Sequence, residues 1–303
     1  MGVRVLSIGE CMIELFKTSL GSYAIQYGGD TFNTAVYLAR EGVKTGYATA
    51  LGGDDPFSGA IVSLAQVEGL STDAVLRVPE RLPGLYAIET DSAGERRFFY
   101  WRQNAPARQL FELEESSRIE AAMEAAEWIY FSGITLGIYS DAGLERFEAA
   151  LKRARQAGTK IAFDSNYRPA LWAGDIERAR SVFRRFLPLA TLLLPSCDDE
   201  RLLWELDTDD DVMAALQDFG AEEIVLKRGD AGVLVRHDGG EVEVPIGDKV
   251  VPVDTTAAGD SFNAAYLAAR LQGTEPEVAV ARGQALARRV IMVRGALIPR
   301  EEA

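Results

Sequence analysis

The sequence predicts an α/β fold in which helices cover both faces of a mostly parallel sheet. Short β-branched or apolar segments alternate with helical patterns along most of the 303 residues, and this alternation is typical of strand–helix–strand units. No linker-like Pro/Gly/Ser stretch, repeat or low-complexity segment interrupts the pattern. The length suits one large α/β domain or two modest ones. We therefore expect ligands to bind near the carboxyl ends of the strands.

The predicted strands of the main sheet are six short apolar segments. In chain order they are RVLSIGE (4–10), TGYATALG (45–52), EWIYFSGI (127–134), TKIAFDSN (159–166), ATLLLPS (190–196) and EEIVLKRG (222–229). A clear helical pattern, residues 141–158, follows the third segment, and Gly158 can terminate that helix. Its apolar residues recur at helical spacing at Leu144, Phe147, Leu151 and Ala154.

Two regions look like strands without intervening helices. They cover residues 12–27 and RLPGLYAIETDSAGERRFFYWR (81–102). The second region reads as a hairpin whose turn is Asp91–Gly94. We expect these strands to form a small peripheral sheet.

Aromatic residues on the hairpin alternate between two faces. The period of two places Phe98, Tyr100 and Arg102 on one face, and Phe99 and Trp101 on the other. One interpretation is that a ligand covers one face and a partner subunit the other. The alternative is that all of these side chains pack on the main domain.

The composition restricts the possible functions. The chain is 48% hydrophobic and 26% charged, and it has no apolar run of membrane-spanning length and no signal-peptide pattern at its start. The net charge of −14 argues against nucleic-acid binding, because phosphate backbones would be repelled. An anionic ligand would need locally placed arginines. Cys11 and Cys197 offer no disulfide framework, so we expect a cytoplasmic protein without a membrane partner.

The only histidine of the sequence is His237, in RHDGG (236–240). This segment is typical of a hairpin tip, and we interpret His237 as a solvated turn residue. Histidine-based triads and His-rich metal sites are therefore excluded. Any acid–base chemistry must come from carboxylates.

The segment VDTTAAGDSF (253–262) has the pattern of an anion site. We predict a strand ending near Val253, small residues at 257–259, and a helix beginning after Asp260. Unpaired N–H groups at a helix N-terminus attract anions, and small side chains let a phosphate approach the main chain. The alternative is that Asp260 only caps the helix.

The segment YGGDTFNTAVYLAR (27–40) follows similar logic near the other end of the chain. Gly28 and Gly29 permit a tight turn, and Asn33 lies in the first helical turn beside it. An amide can both donate to and accept from a polyhydroxylated ligand. The alternative is a glycine turn that leads into an ordinary surface helix.

Two further strand ends carry polar side chains. Asp164, Asn166 and Arg168 alternate along FDSNYRPALW (163–172), and Arg168 suits bidentate capture of a carboxylate or phosphate. Lys227 and Gly229 end another strand, where a nucleotide could lie or a plain tight turn could form. Neither a GxxxxGK[ST] loop nor a GxGxxG loop after the first strand is present, so Walker-type and Rossmann sites lack their signatures.

Together these segments resemble the ribokinase-like carbohydrate kinases. The family's two signatures correspond to Gly28–Asn33 and Asp254–Asp260, and the similarity covers essentially the whole chain. The resemblance implies a single three-layer α/β/α domain over residues 1–303, with a small β-sheet lid formed by about 12–27 and 81–103. It is strongest to the members that use ATP and Mg²⁺ to phosphorylate 2-keto-3-deoxygluconate on its primary hydroxyl.

The resemblance also implies roles for individual residues. Asp260 would act as base on the hydroxyl. It would be ionised at neutral pH because an unperturbed Asp pKa is about 3.9. The backbone N–H groups of 257–260 would form an anion hole with Ala257, Ala258 and Gly259. Substrate-binding residues would be Gly29, Asn33, Tyr86, Tyr100, Arg102, Arg168 and Asp260. Nucleotide-binding residues would be Asn166, Lys227, Gly229 and Gly259. Asp254 matches a position that helps to bind a monovalent cation such as K⁺ in some relatives.

Two departures from the family pattern concern catalysis. Ala257 replaces the glycine that usually opens the anion-hole motif, which reduces the freedom for positive φ. Ser196–Asp199 replaces an N-x-x-E motif that organises magnesium through water, with Glu200 adjacent. The resemblance therefore leaves the protein ligands of Mg²⁺ unidentified.

Several alternatives remain open from the sequence. Arg102 and Arg168 favour an acidic substrate, but 2-ketogluconate, 2-keto-3-deoxygalactonate and fructose are rivals. A non-catalytic sugar-acid sensor could keep the fold, and a dinucleotide-dependent dehydrogenase would lack its glycine fingerprint. The lid resemblance implies a homo-oligomer in which lids contact one another.

Overall fold

The computed structural model describes residues 2–18, 21–90, 96–247 and 249–300. Their strands are β1 (Val5–Ile8), β2 (Met12–Lys17), β3 (Tyr23–Gly28), β4 (Thr45–Gly52), β5 (Val75–Val78), β6 (Leu85–Thr90), β7 (Arg96–Trp101), β8 (Trp128–Ser132), β9 (Lys160–Asp164), β10 (Leu192–Leu193), β11 (Glu223–Lys227), β12 (Val233–His237) and β13 (Gly240–Val244). Their α-helices are α1 (Asp30–Arg40), α2 (Pro56–Val67), α3 (Ser116–Ala125), α4 (Gly133–Ile138), α5 (Asp141–Gln156), α6 (Ile176–Phe186), α7 (Cys197–Trp204), α8 (Asp209–Gln217), α9 (Ala258–Leu271) and α10 (Pro276–Val290).

The large sheet confirms the predicted mostly parallel topology. Its strand order is β13-β12-β11-β10-β9-β8-β1-β4-β5. Neighbours from β11 to β5 pair in parallel, whereas β11–β12 and β12–β13 are antiparallel. All six predicted strands lie in this sheet. It carries the strand ends to one edge, where an α/β fold binds its ligands.

Alternating strand residues pack into two cores on opposite faces of the sheet. In β8, Ile129 and Phe131 join a core formed with α3 to α8, while Tyr130 between them joins a core formed with α1, α9 and α10. A further cluster packs α1 and α2 against β4. These helix–sheet–helix layers confirm the predicted three-layer α/β/α architecture.

The prediction for α5 is also confirmed. The helix runs from Asp141 to Gln156, and Ser140 caps it by accepting from the Gly143 N–H at 3.0 Å. Its four predicted core residues are buried. Gly158 adopts φ +99°, a conformation that glycine reaches without strain, just past the helix end.

A second, four-stranded sheet has the order β3-β2-β6-β7. Its strands fall in the two regions predicted to lack helices, with β3 extending to Gly28. Strands β6 and β7 pair antiparallel with Tyr86 opposite Tyr100. The predicted turn residues 91–94 lie outside the described part of the chain. None of the helices in the described ranges is long and apolar enough to cross a membrane.

Candidate functional site

A cavity of about 2360 Å³ lies between the carboxyl edge of the large sheet and one face of the small sheet. All of the residues predicted from the sequence to form a site line it. They are Gly29, Asn33, Tyr86, Tyr100, Arg102, Asn166, Arg168, Lys227, Gly229, Asp254, Ala257, Ala258, Gly259 and Asp260. The fold thus brings residues from both ends of the sequence to one place.

The helix at the centre of the cavity begins earlier than the sequence predicts. The expected strand ending at Val253 is wrong, because the N–H groups of Val253 and Asp254 donate to the Ile291 carbonyl at 2.8 and 3.1 Å instead of to a strand. Helix α9 begins at Ala258, and Asp260 lies in its first turn. Asp260 is therefore not the residue that precedes and caps the helix.

Ala257 precedes α9 in the left-handed conformation, with φ 59° and ψ 17°. This is the conformation for which glycine is favoured, so the alanine is strained by about 1–2 kcal/mol. Residues 257–260 line the cavity, and the Ala258 N–H donates to the Thr255 carbonyl at 3.3 Å. The N–H groups of Gly259 and Asp260 lie in the first turn of α9, where N–H groups have no partners within the helix.

Asp260 is buried at the start of α9, and one of its oxygens, Oδ2, accepts from Asn33 Nδ2 at 2.8 Å. Burial, followed by the charge of Asp30, raises the pKa of Asp260 to about 8, while the Asn33 hydrogen bond opposes the shift. The expectation that Asp260 keeps an ordinary pKa is therefore wrong. A carboxylate with a pKa near 8 is a stronger base than an unperturbed one.

A buried polar network adjoins Asp260. Lys227 Nζ donates to Asn263 Oδ1 at 2.9 Å and pairs with Asp164 Oδ1 at 3.4 Å. Asn263 Nδ2 in turn donates to Asp164 Oδ2 at 2.8 Å and to the Tyr130 hydroxyl at 3.1 Å. Sequence analysis missed Asn263, although an asparagine three residues after Asp260 inside an apolar helical pattern was a usable signal.

The network continues to the start of α1. Asn166 Nδ2 donates to Asp30 Oδ2 at 2.8 Å, and Asn166 adopts φ 33°, which asparagine tolerates better than most residues. Burial raises the pKa of Asp30. Gly29 is required beside it, because a Cβ there would collide with the carbonyl oxygen of Glu10.

One face of the small sheet forms the opposite wall of the cavity. The rings of Phe98 and Tyr100 stack with centroids 6.3 Å apart, and Tyr86 lies 5.8 Å from Tyr100. Arg102 lies over the Tyr100 ring at 4.8 Å and forms an ion pair with Glu10. This face confirms the predicted alternation.

The outer face of the small sheet is not covered by the described residues. Phe99 and Trp101 on β7 are 39% and 59% exposed, and Tyr23 and Ile25 on β3, the opposite edge strand, are exposed too. The interpretation that all hairpin aromatics pack on the main domain is therefore wrong for this face.

Arg168 is engaged at the cavity wall. Its Nη1 donates to Asp199 Oδ1 at 3.1 Å and to the Tyr167 carbonyl at 2.8 Å. Burial raises the pKa of Asp199, and the Arg168 charge opposes this. Ser196, which stands where the family has asparagine, caps α7 by accepting from the Asp199 N–H at 3.2 Å.

Glu200 and Glu14 are further buried acids to which sequence analysis assigned no role. Glu200 is buried and accepts from Trp204 Nε1 at 2.7 Å, and burial raises its pKa to about 7. Glu14 is buried, lines the cavity and accepts from the Tyr86 hydroxyl. Both lie in strands or helices whose pattern gives no sign of a buried acid.

Asp254 holds the loop before α9 in place. Its Oδ1 accepts from the Thr256 N–H at 2.8 Å, and its Oδ2 accepts from the Gly295 N–H at 2.9 Å. Within the described residues, no group of three or more His, Cys, Asp or Glu side chains is arranged to hold a metal ion.

Comparisons with known proteins agree with this geometry. The family model for pfkB family carbohydrate kinases matches residues 3–303. The chain is 42% identical over 308 residues to 2-dehydro-3-deoxygluconokinase of Escherichia coli strain K12, covering 99% of each chain. It is 42% identical over 307 residues to 2-dehydro-3-deoxygluconokinase of Dickeya dadantii, covering 98% of this chain and 97% of that one.

A solved structure shows the same fold. The structure of 2-dehydro-3-deoxygluconokinase from Thermotoga maritima superposes with a TM-score of 0.86 at 21% identity, covering 98% of this chain and 96% of that one. At that identity the likeness concerns the fold alone.

Proposed function

Since the chain belongs to the pfkB family of carbohydrate kinases, we propose that it transfers the γ-phosphoryl group of ATP to the primary hydroxyl of 2-keto-3-deoxygluconate. The product would be 2-keto-3-deoxy-6-phosphogluconate. The observation that carries this proposal is the cavity in which Asp260 at a helix N-terminus faces a wall bearing Arg102. The full-length relatives support the substrate, because 2-dehydro-3-deoxygluconate is another name for this sugar acid.

In the proposed reaction Asp260 takes the proton of the primary hydroxyl. The hydroxyl oxygen forms a bond to the γ-phosphorus, and the bond to the bridging oxygen of ADP breaks, with its electron pair leaving on ADP. The N–H groups of 257–260 would stabilise charge on the transferring group. Asn33, which donates to Asp260 Oδ2, leaves the other carboxylate oxygen for the hydroxyl proton.

The nucleotide would lie along the loop before α9. Lys227 Nζ lies 3.8 Å from where a Cβ on Gly259 would be, so the lysine and the anion-hole turn converge. Gly229 and Asn166 also line the cavity. The positive charge of Lys227 suits the phosphates of ATP.

Magnesium, when bound, would neutralise charge on the ATP phosphates. The lack of a preformed three-residue cluster in the described part of the chain fits an ion that ATP carries into the site. Asp199 and Asp164, whose charges act on one another, would contact it through water.

A K⁺ ion bound at Asp254 would stabilise the loop before α9. Turnover measured in KCl and in choline chloride tests this, and we expect it to be higher in KCl.

The first test is ADP release from MgATP with a panel of acceptors, using wild type beside Asp260→Asn. The panel is 2-keto-3-deoxygluconate, 2-keto-3-deoxygalactonate, 2-ketogluconate, fructose and ribose. Turnover on the deoxy keto acids that is lost in the variant supports the proposal. Turnover on fructose or ribose alone would keep the kinase and overturn the acidic substrate. Keto-acid binding without any ADP release would favour a sensor.

We further propose that residues 1–303 form one domain, with a lid formed by about 12–27 and 81–103. We also propose that the protein forms a homo-oligomer in which the outer faces of the small lid sheets contact one another. The exposed side chains of Tyr23, Ile25, Phe99 and Trp101 support this interface. Trp101→Glu should reduce the mass measured by light scattering to that of one chain; an unchanged mass would contradict the interface.

A cytoplasmic location fits the two cysteines, which are both buried and free, and the need for ATP.

A further inference from the structure

Several arginines line the cavity, and most of them already have partners. Arg168 is bonded to Asp199, and Arg102 is paired with Glu10. Each of these pairs is neutral as a unit. A substrate carboxylate entering a chain with a net charge of −14 would gain less from these guanidinium groups alone than from one that has no carboxylate partner.

Arg108 differs from them, since its guanidinium group has no hydrogen bond or ion pair among the described residues although it lines the cavity. It is half-buried, whereas Arg294, another lining residue, is exposed and can be hydrated by bulk water. Burial lowers the pKa of Arg108, the charge of Glu10 raises it, and the charge of Arg102 lowers it. Arg108 therefore lies close enough to this ion pair for both charges to act on it.

The backbone fixes Arg108 relative to Arg102. The Ala105 N–H donates to the Arg102 carbonyl at 3.1 Å, and the Arg108 N–H donates to the Ala105 carbonyl at 3.2 Å. These two turns lead from the end of β7 into a 3₁₀ helix over Pro106–Gln109. Ala105 and Ala107 are each 4% exposed, so this segment is packed firmly beneath the guanidinium.

The local charges at this end of the cavity do not cancel. Glu10 is 2% exposed, and its Oε2 has no partner among the described residues. One buried carboxylate thus faces two guanidinium groups, Arg102 and Arg108. A half-buried guanidinium that faces a cavity without an acceptor is satisfied when an anionic ligand supplies one.

We propose that Arg108, together with Arg102, binds the carboxylate of the sugar acid and makes the enzyme specific for acidic substrates. Glu10 is a positioning residue that holds Arg102 through its Nη1. This inference rests on the proposed function. It adds a residue six positions beyond the hairpin motif that no motif identified.

The test compares 2-keto-3-deoxygluconate with its uncharged methyl ester, in wild type, Arg108→Met and Arg108→Lys. The control is Arg81→Met, because Arg81 donates to Asn104 and Gln109 of the same segment but does not line the cavity. The readouts are KM and kcat at saturating MgATP, and Kd by calorimetry without ATP.

For Arg108→Met we expect KM and Kd for the acid to rise about 10- to 100-fold, as for a lost charged hydrogen bond. We expect kcat and the ester constants to change less than about 3-fold. Arg108→Lys should fall between Met and wild type, and Arg81→Met should match wild type.

Three outcomes would overturn the inference. Equal weakening of acid and ester, or the same loss in Arg81→Met, would mean that Arg108 only supports the segment. An unchanged acid KM in Arg108→Met would mean that it does not contact the carboxylate, while the proposed function stands. A wild type that neither binds nor phosphorylates the acid would overturn the proposed function itself.

Discussion

Replacing Asp260 by Asn should stabilise the protein while it abolishes catalysis. The variant side chain has the same size, and its amide oxygen can still accept from Asn33 Nδ2, as Asp260 Oδ2 does at 2.8 Å. The substitution removes the buried ionisable carboxyl group beside Asp30, and with it the proposed base. The two effects are measured separately.

The magnitude follows from the pKa of Asp260, about 8 in the folded protein against an ordinary 3.8. A raised carboxyl pKa means that the folded state binds the proton more tightly than the unfolded state does. The contribution of this carboxyl group to stability is therefore fully present below about pH 4 and is lost as the pH rises to about 8. At about 1.4 kcal/mol per pKa unit, the raised pKa of Asp260 lowers the free energy of unfolding by up to about 2 kcal/mol at pH 5 and about 5 kcal/mol at pH 8.

Urea unfolding of wild type and Asp260→Asn at pH 5 and pH 8 checks this. The stability advantage of the variant should grow by roughly 3 kcal/mol between the two values, whereas the exposed Asp238→Asn should follow wild type. In turnover, the variant should lose about 10²- to 10⁴-fold in kcat, and wild-type kcat/KM should rise with pH up to about pH 8. Parallel pH profiles of stability for Asp260→Asn and wild type would refute the reasoning.

Three further predictions concern the same cavity. Asn33→Ala removes a hydrogen bond that lowers the pKa of Asp260, so kcat/KM should fall more at pH 7 than at pH 9; an equal loss at both would contradict this. Ala257→Gly relieves the left-handed strain of about 1–2 kcal/mol, but it also increases the conformational entropy of the unfolded chain, which costs about 0.4–1 kcal/mol. Thermal unfolding should therefore show slightly higher stability, with kcat unchanged. A lower melting temperature would contradict this prediction. Lys227→Met strips a buried carboxylate of its cation and should lower the free energy of unfolding by about 3 kcal/mol in urea; an unchanged midpoint would count against the buried pair.

Local patterns were enough to predict the layers of the fold. The strand containing Phe131 was predicted as a short apolar segment, and the helix containing Phe147 was predicted from apolar residues at helical spacing, because both patterns are set by neighbours in sequence. The predicted strand at Val253 failed because its hydrogen bonds go to Ile291, 38 residues later, and no local pattern reports that pairing.

The site was predicted unevenly for the same reason. Small residues before Asp260 mark a close approach of the backbone, which is a local property. The partners that set its chemistry are distant in sequence. Asn33 lies 227 residues before Asp260, and Glu10 lies 92 residues before Arg102. The pKa of Asp260 depends on its burial and on the distant residues Asp30 and Asn33, so its ordinary value was the only one that the sequence could supply.

The charged side chains of the cavity form two neighbouring groups. Asp30, Asp164 and Asp260 crowd together at one end of this set of charges, where Lys227 is their cation, and Arg102 and Arg108 act on Glu10, on which the charge of Asp30 also acts. Acids crowded around Asp260 raise its pKa and make it a better base, at the expense of stability. The same crowding would repel a substrate carboxylate from that end. In the proposed complex an acidic sugar would therefore bind with its carboxylate toward the arginines, which would leave its far hydroxyl facing Asp260.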